Sequence, residues 1–327
     1  MPINRRSFLK TGLLALTPMA SRAMAFGEQP TPMEAPLFSF GVATDIQYAD
    51  KHSGGARHYR NSLLELKRCV DFWNAEKLEF VIQLGDLVDT GGIPTLRRMV
   101  SVYEKAQAKK YSVLGNHDFV APRDQVMHEL QMSSAYYSFK THGWRFVVLD
   151  GMNVSVHGGW PTDDPHYLAG QQINTALEKS DSPIAGAWNG AVGEAQRHWL
   201  AQELADASAK AEKVIVFCHL PTLPGSCRPD LLLWDHAEVV KVLDMCPTLV
   251  SYMCGHDHPG GYGMHNGVHY MTLPGMVEHD AGDSSFIVDV HADRLTIRTL
   301  GVPPLGVQQK TFAFPAGAGA SGQRATA

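Results

Sequence analysis

The sequence predicts an α/β fold, and three observations predict it. Short apolar runs rich in β-branched and aromatic residues alternate with longer stretches of helical period along most of the 327 residues. Hydrophobic residues make up 44% and charged residues 19%, enough for a sizeable core and the wrong balance for disorder. Acids, amides and histidines gather just after several of the apolar runs, where open α/β sheets carry their working side chains.

Taken in chain order, strands are predicted at Phe38–Ala43, Phe80–Leu84, Tyr111–Leu114, Tyr136–Phe139, Arg145–Leu149, Val214–Phe217, Leu249–Met253, Val268–Thr272, Phe286–Val290 and Leu295–Leu300. Two helices stand out between them. In Arg60–Asn74 the apolar Leu63, Leu66, Val70 and Trp73 recur every three or four residues, and in Gly193–Ala209 the cluster Trp199, Leu200 and Leu204 does the same. The later strands lack helical partners, which predicts an antiparallel edge or a second sheet. Gly151–Gly190, rich in Gly, Pro, Asp and Asn, has no clear period and reads as a long loop insertion. Residues 303–327 drift into Ala, Gly and Ser and read as a flexible tail.

The N-terminus combines a charged stretch Asn4-Arg5-Arg6-Ser7-Phe8-Leu9-Lys10, an apolar stretch Gly12–Ala20 too short to span a bilayer, and Ala23-Met24-Ala25 as a cleavage site. Paired arginines before Ser-Phe-Leu-Lys resemble a twin-arginine export signal over residues 1–25, so the expected location is periplasmic or secreted, with the export machinery a transient partner and no stable membrane anchor. The formal charge is −5, and the four basic residues of 1–25 are unopposed by any acid, leaving −9 on the remainder. Such a body repels a phosphate backbone, which disfavours nucleic-acid binding. Five cysteines at 69, 218, 227, 246 and 254 match no zinc or redox spacing; Cys218 and Cys254 read as small buried strand residues.

The motifs that carry chemistry sit at strand ends. They are Asp45-Ile46-Gln47, Gly85-Asp86-Leu87-Val88-Asp89, Gly115-Asn116-His117-Asp118, Cys218-His219 and Gly255-His256-Asp257-His258. Each alone could be a turn or a cap. Together, at the strand ends of an open α/β sheet, they converge on one crevice and supply two carboxylates, two amide oxygens and three imidazoles. That inventory suits a pair of divalent first-row cations.

These ordered blocks resemble the calcineurin-like metallophosphoesterase superfamily. Only Gln47, where a histidine is usual, departs from its pattern. Asp45-Ile46-Gln47-Tyr48-Ala49-Asp50 is in turn similar to a narrower branch, the manganese-dependent ADP-ribose/CDP-alcohol diphosphatases, as are Arg57-His58-Tyr59-Arg60-Asn61-Ser62-Leu63, Tyr136-Tyr137-Ser138-Phe139, His219-Leu220-Pro221 and Gly255-His256-Asp257-His258-Pro259-Gly260-Gly261-Tyr262. The likeness covers about 36–300 and implies a four-layer α/β/β/α sandwich with mixed sheets over residues 36–302. It implies one metal held by Asp45, Gln47, Asp86 and His258, and a second by Asp86, Asn116, His219 and His256, with Asp86 bridging. His117 would stabilise the transition state or protonate the leaving oxygen, its ring oriented by Asp118 or Asp89. An amide oxygen at position 47 makes the first ligand set harder, which favours Mn²⁺ or Mg²⁺ over Zn²⁺. For the pair of ions Mn²⁺ is the expected metal, with Fe, Zn or Mg as alternatives. Gln47 swung out of the shell is the competing reading.

Arg57 and Arg60 could take a second phosphate, or be solvated charges at a helix start. Trp160, Tyr167, Trp188 and Tyr262 could stack on a base or ribose. The resemblance implies hydrolysis of the diphosphate bond of a nucleotide substrate such as ADP-ribose or a CDP-alcohol. A phosphodiesterase acting on cyclic nucleotides or lipid-derived diesters is the alternative, and a metal-binding scaffold without turnover a third reading.

Overall fold

A computed structural model of the chain describes residues 34–278, 284–300 and 310–314. The expected export signal, residues 1–25, lies outside them. In chain order the elements are β1 (Phe38–Ala43), α1 (Ser62–Asn74), β2 (Phe80–Gln83), α2 (Gly92–Tyr103), β3 (Lys109–Ser112), α3 (Arg123–Glu129), β4 (Tyr137–Thr141), β5 (Trp144–Val148), α4 (Pro165–Lys179), α5 (Gly193–Ala209), β6 (Lys213–Phe217), α6 (His236–Leu243), β7 (Leu249–Cys254), β8 (Gly261–His265), β9 (Val268–Thr272), β10 (Phe286–Val290), β11 (Arg294–Thr299) and β12 (Lys310–Ala313).

Strands β1, β2, β5, β7, β9 and β10 are buried along their whole length, which is why they read as continuous apolar runs and not as alternating ones. The twelve described strands form two six-stranded sheets, ordered β12-β11-β10-β1-β2-β3 and β4-β5-β6-β7-β9-β8. Both are mixed. In the first, β1, β2 and β3 run parallel and β10, β11 and β12 add antiparallel. In the second, β5, β6, β7 and β9 run parallel and β4 and β8 close the edges antiparallel.

Side-chain alternation then dictates the layers. Phe40, Val42, Phe80 and Ile82 of the first sheet meet Phe146, Ile215 and Phe217 of the second in one inner core. The Phe146 ring stacks on Phe217 at 6.0 Å and meets Phe80 edge-on at 4.9 Å. Truncating such a ring costs about 3–5 kcal/mol. The opposite face of the first sheet packs on α1, α2 and α3 through Ala43, Val81, Leu66, Trp73, Leu96 and Val126. There Gly41 leaves the room that Trp73 fills, since a Cβ would stand 2.6 Å from its Nε1. The outer face of the second sheet packs on α5 and α6 through Val216, Tyr252, Leu200, Leu204 and Val239. The result is the four-layer α/β/β/α arrangement.

Three expectations need correction. The stretch 151–190 is no bare loop: it contains α4, capped by the Asp164 side chain accepting from His166 N–H, with Pro165 in the first turn. Few apolar side chains mark this helix, because it buries mainly Gly170 and Asn174. The segment 303–327 is not a tail throughout, since β12 pairs antiparallel with β11 and Phe312 packs on the inner core. Finally, β8 was not foreseen. It forms because Asn266 and Gly267, both at positive φ, turn the chain back onto β9 as a hairpin. All five cysteines are free.

Candidate metal centre

The parallel strands β1, β2 and β3 of one sheet, and β6 and β7 of the other, end on the same side, and every candidate ligand follows one of these ends. The turns that carry them are strained. Asp45, Gln47, Asp86 and His256 all have positive φ, at 49°, 44°, 58° and 68°. Outside glycine this conformation is uncommon and concentrates at working sites, where surrounding structure enforces it. Close approach explains two glycines of the motifs: a Cβ on Gly115 would overlap Asp86 Oδ1, and one on Gly255 would overlap Thr44 Oγ1 and Asp45 Oδ2.

The side chains form two groups that meet at Asp86. On one side, His258 Nε2 lies 3.2 Å from Asp45 Oδ1, and the Gln47 amide nitrogen lies 2.9 Å from Asp86 Oδ2 and 3.2 Å from His258 Nε2. On the other, His219 Nε2 lies 3.4 Å from Asp86 Oδ2 and 3.2 Å from Asn116 Oδ1, and its ring is 5.1 Å from that of His256. Asp86, His219 and His256 can each offer a ligand atom within 4.8 Å of the others. Asp45, Gln47, Asp86, His219, His256 and His258 are all buried.

These residues fit cations. Gln47 Oε1 is a buried oxygen without a hydrogen-bond partner, and Asp45 Oδ1 makes no hydrogen bond and faces the His258 and His219 rings, a costly arrangement unless positive charge meets them. The Gln47 amide, turned by half a rotation, offers oxygen in place of nitrogen to the same neighbours with almost no change of shape. The charge balance agrees. Burial works against charge on Asp45 and Asp86, yet His258 and His219 hold Asp45 down, and His219 and His117 hold Asp86 well below the carboxylate range. Burial likewise opposes charge on the imidazoles, but Asp86 and Asp45 overcome it and push His219 up to about 10, and Asp45 pushes His258 up to about 9. His256 falls to about 3 through burial and the neighbouring His219. The buried carboxylates therefore demand positive charge, which divalent cations can supply in place of protons.

Around these groups the structure separates two carboxylates that the motifs left equivalent. Asp89 Oδ1 stands 3.4 Å from His117 Nδ1, and Lys51 pairs with its other oxygen. Asp118 does not face His117. Its two oxygens accept the backbone N–H groups of Asp86, Leu87 and Gly115, so its role is to hold the two ligand turns together. Burial and the nearby Asp86 push it up to about 6. Of the substrate candidates, Arg57 Nε lies 3.8 Å from Glu278, the carboxylate that binds His258 Nδ1 at 2.9 Å. Arg60 is paired with Asp50 at the surface, and Tyr262 bonds His269 and packs on Phe312, so neither is drawn toward the ligands by any contact described. Trp160 stacks on His166 and Arg123, inside the loop packing.

Four residues of the site escaped sequence reasoning. Lys51 and Glu278 lack any motif. Asn189, which sits 3.1 Å from His256 Nε2, lies in the insertion that reads as unpatterned. His157, also of the insertion, is pushed down by burial and by the charge of His117.

The model of the calcineurin-like phosphoesterase family matches residues 38–260, two-thirds of the chain and every ligand turn. The chain belongs to this family. Among relatives of this phosphoesterase, a manganese-dependent ADP-ribose/CDP-alcohol diphosphatase of Arabidopsis thaliana is 37% identical over 294 residues, covering 80% of this chain and 94% of the relative. Its counterpart in Oryza sativa subsp. japonica is 34% identical over 293 residues, covering 80% and 91%. The crystal structure of a dimetal phosphatase from Danio rerio superposes with a TM-score of 0.77 at 26% identity, covering 86% of this phosphoesterase and all of that chain.

Proposed function

We propose that this phosphoesterase is a dinuclear, manganese-preferring hydrolase of the diphosphate bond in nucleoside-diphosphate-linked small molecules, with ADP-ribose and CDP-alcohols as substrates. The observation that carries it is the pair of donor groups meeting at Asp86, with two buried oxygens, Asp45 Oδ1 and Gln47 Oε1, that make no hydrogen bond. Relatives named for this activity and this metal support the substrate class.

Asp45, Gln47, Asp86 and His258 would hold one ion, and Asp86, Asn116, His219 and His256 the other. Bound there, the pair supplies Lewis acidity and lowers the pKa of water toward neutrality. The chain does the rest. The backbone N–H of His117 donates to Asp86 Oδ1 at 2.9 Å, fixing the orientation of the carboxylate that both ions would share. Asp89, in turn, holds His117 Nδ1, leaving Nε2 to donate to a phosphoryl or leaving oxygen. Arg57, 3.8 Å from Glu278, would meet a second phosphate. The segment 1–25 supports export, in which case the enzyme meets extracellular nucleotides. Replacing Arg5 and Arg6 by lysine should then retain the protein in the cytoplasm on cell fractionation.

The decisive assay sets metal-reconstituted enzyme against ADP-ribose, CDP-choline, cyclic AMP and a bis-aryl phosphate. The first two should be turned over with Mn²⁺, releasing two phosphomonoesters, and chelation should abolish the reaction. Efficient turnover of the diesters with both diphosphates ignored would overturn the reading.

A further inference from the structure

Each imidazole of the centre has one ring nitrogen engaged by a group outside the candidate ligand set. His219 Nδ1 meets the backbone carbonyl of Leu84 at 2.8 Å, and His258 Nδ1 meets Glu278 Oε1 at 2.9 Å. In His256 the order is reversed: it is Nε2 that meets an acceptor, Asn189 Oδ1, at 3.1 Å. A ring nitrogen facing an acceptor outside the ligand set carries the proton when a cation is bound, and the opposite nitrogen keeps its lone pair for that cation. His256 must therefore present Nδ1 where the other two present Nε2.

The orientation of the Asn189 amide is not free to vary. Its nitrogen donates to two carbonyls, Ile184 O at 3.1 Å and Asp230 O at 2.8 Å. Exchanging nitrogen and oxygen would press the amide oxygen against both of those carbonyls and turn a donor toward the ring. Asn189 is also wholly buried, so water cannot stand in for a lost partner. The amide can only accept from His256. The residue comes from the insertion, and the carbonyls that lock it belong to the insertion and to the turn Pro229–Leu231.

We propose that Asn189 is a positioning residue for the second metal: it fixes the His256 tautomer and ring angle, and so makes the insertion a determinant of second-site occupancy. This rests on the dinuclear reading above, and the test separates the two. An outer hydrogen bond of this kind typically changes metal affinity about 10–100-fold.

The first measurement needs no metal. In metal-free protein with labelled histidine, His256 should show a slowly exchanging, downfield Nε2–H proton resonance, absent in Asn189→Leu. The second is a calorimetric Mn²⁺ titration. Asn189→Leu should weaken the second equivalent about tenfold or more and leave the first nearly unchanged, whereas general loosening would weaken both. Trp234→Phe is the control for loop integrity, because the Trp234 indole donates to the same Ile184 carbonyl at 3.2 Å and makes no hydrogen bond to His256 among those described. It should leave both equivalents as in the native chain. A proton on His256 Nδ1 in the native protein would overturn the inference, as would equal losses in Asn189→Leu and Trp234→Phe. A native chain that takes up no second Mn²⁺ would instead overturn the dinuclear reading, and the Nε2–H resonance would still decide whether Asn189 sets the tautomer.

Discussion

Asp45, Gln47, Asp86 and Asn116 follow β1, β2 and β3 of the first sheet, whereas His219, His256 and His258 follow β6 and β7 of the second. One sheet supplies every oxygen donor of the candidate centre and the other every imidazole. Separately, neither half is comfortable: two buried carboxylates repel each other, and buried His219 and His258 would lack the Asp45 and Asp86 charges that offset their desolvation. Joined, they answer each other's charge, and the aromatic core between the sheets sets the spacing at which they do so. The difference teaches that the centre is a property of the interface between sheets and not of either motif set.

The largest effect should come from the residue shared by both halves. Asp86→Asn keeps the volume and removes the charge, so turnover of ADP-ribose should fall on the order of 10³-fold or more, equivalent to at least about 4 kcal/mol of transition-state stabilisation. Elemental analysis of the same variant should show more than one Mn²⁺ lost per chain. Near-normal activity at saturating metal would break the comparison.

Next comes His117, which follows the first sheet yet is an imidazole and stands outside the ligand set. A phosphomonoester leaves a diphosphate with little need of a proton, whereas an alkoxide leaving a diester needs one. His117→Ala should therefore slow alkyl-diester hydrolysis by about 10²–10⁴-fold and ADP-ribose hydrolysis much less. Equal losses in kcat on both substrates would assign His117 a purely electrostatic or positional role.

Asp118 sharpens the contrast between holding ligands and holding turns. Asp118→Asn loses an acceptor oxygen for backbone N–H groups of both ligand turns and should cost about 1–3 kcal/mol in denaturant unfolding. Asp89→Asn should leave stability closer to native and act on kcat through His117. The reverse pattern would exchange the two assignments.

The smallest effect is one of pH, in metal-free protein. His219 and His258 titrate near 10 and 9 in the fold, against about 6.5 in an unfolded chain. Their stabilising contribution is thus complete below about pH 6.5 and disappears as pH climbs through 9 and 10. Thermal unfolding followed by circular dichroism should show Tm falling across that window without metal, and a flatter profile with Mn²⁺ bound. A Tm that rises with pH in the metal-free chain would contradict the proposed charge exchange between the sheets.

Much of this was legible along the chain because the information is local. Continuous apolar runs announce strands buried on both faces, and β1, β2, β7, β9 and β10 lie within a residue or so of their predicted limits. Each ligand motif abuts such a run, so strand end and donor could be read together. Where the local signal is weak, reading failed. Helix α4 has a sound cap but hardly any apolar stripe, and β8 and β12 exist because β9 and β11 offer them an edge.

By itself, then, the sequence determined the α/β class, the order of the strands and the chemical types of the donors, since periodicity and turn residues act over a few positions. Only the tertiary structure decided which groups face each other. Asp89 and Asp118 are alike in type and both stand in strand-end motifs, yet one meets an imidazole and the other three backbone amides. Glu278 reaches His258 across 20 residues and Asn189 reaches His256 across 67. Hydrogen bonds act only over about 3 Å, and the distances between such residues are set by the packing of two sheets, which no local pattern encodes.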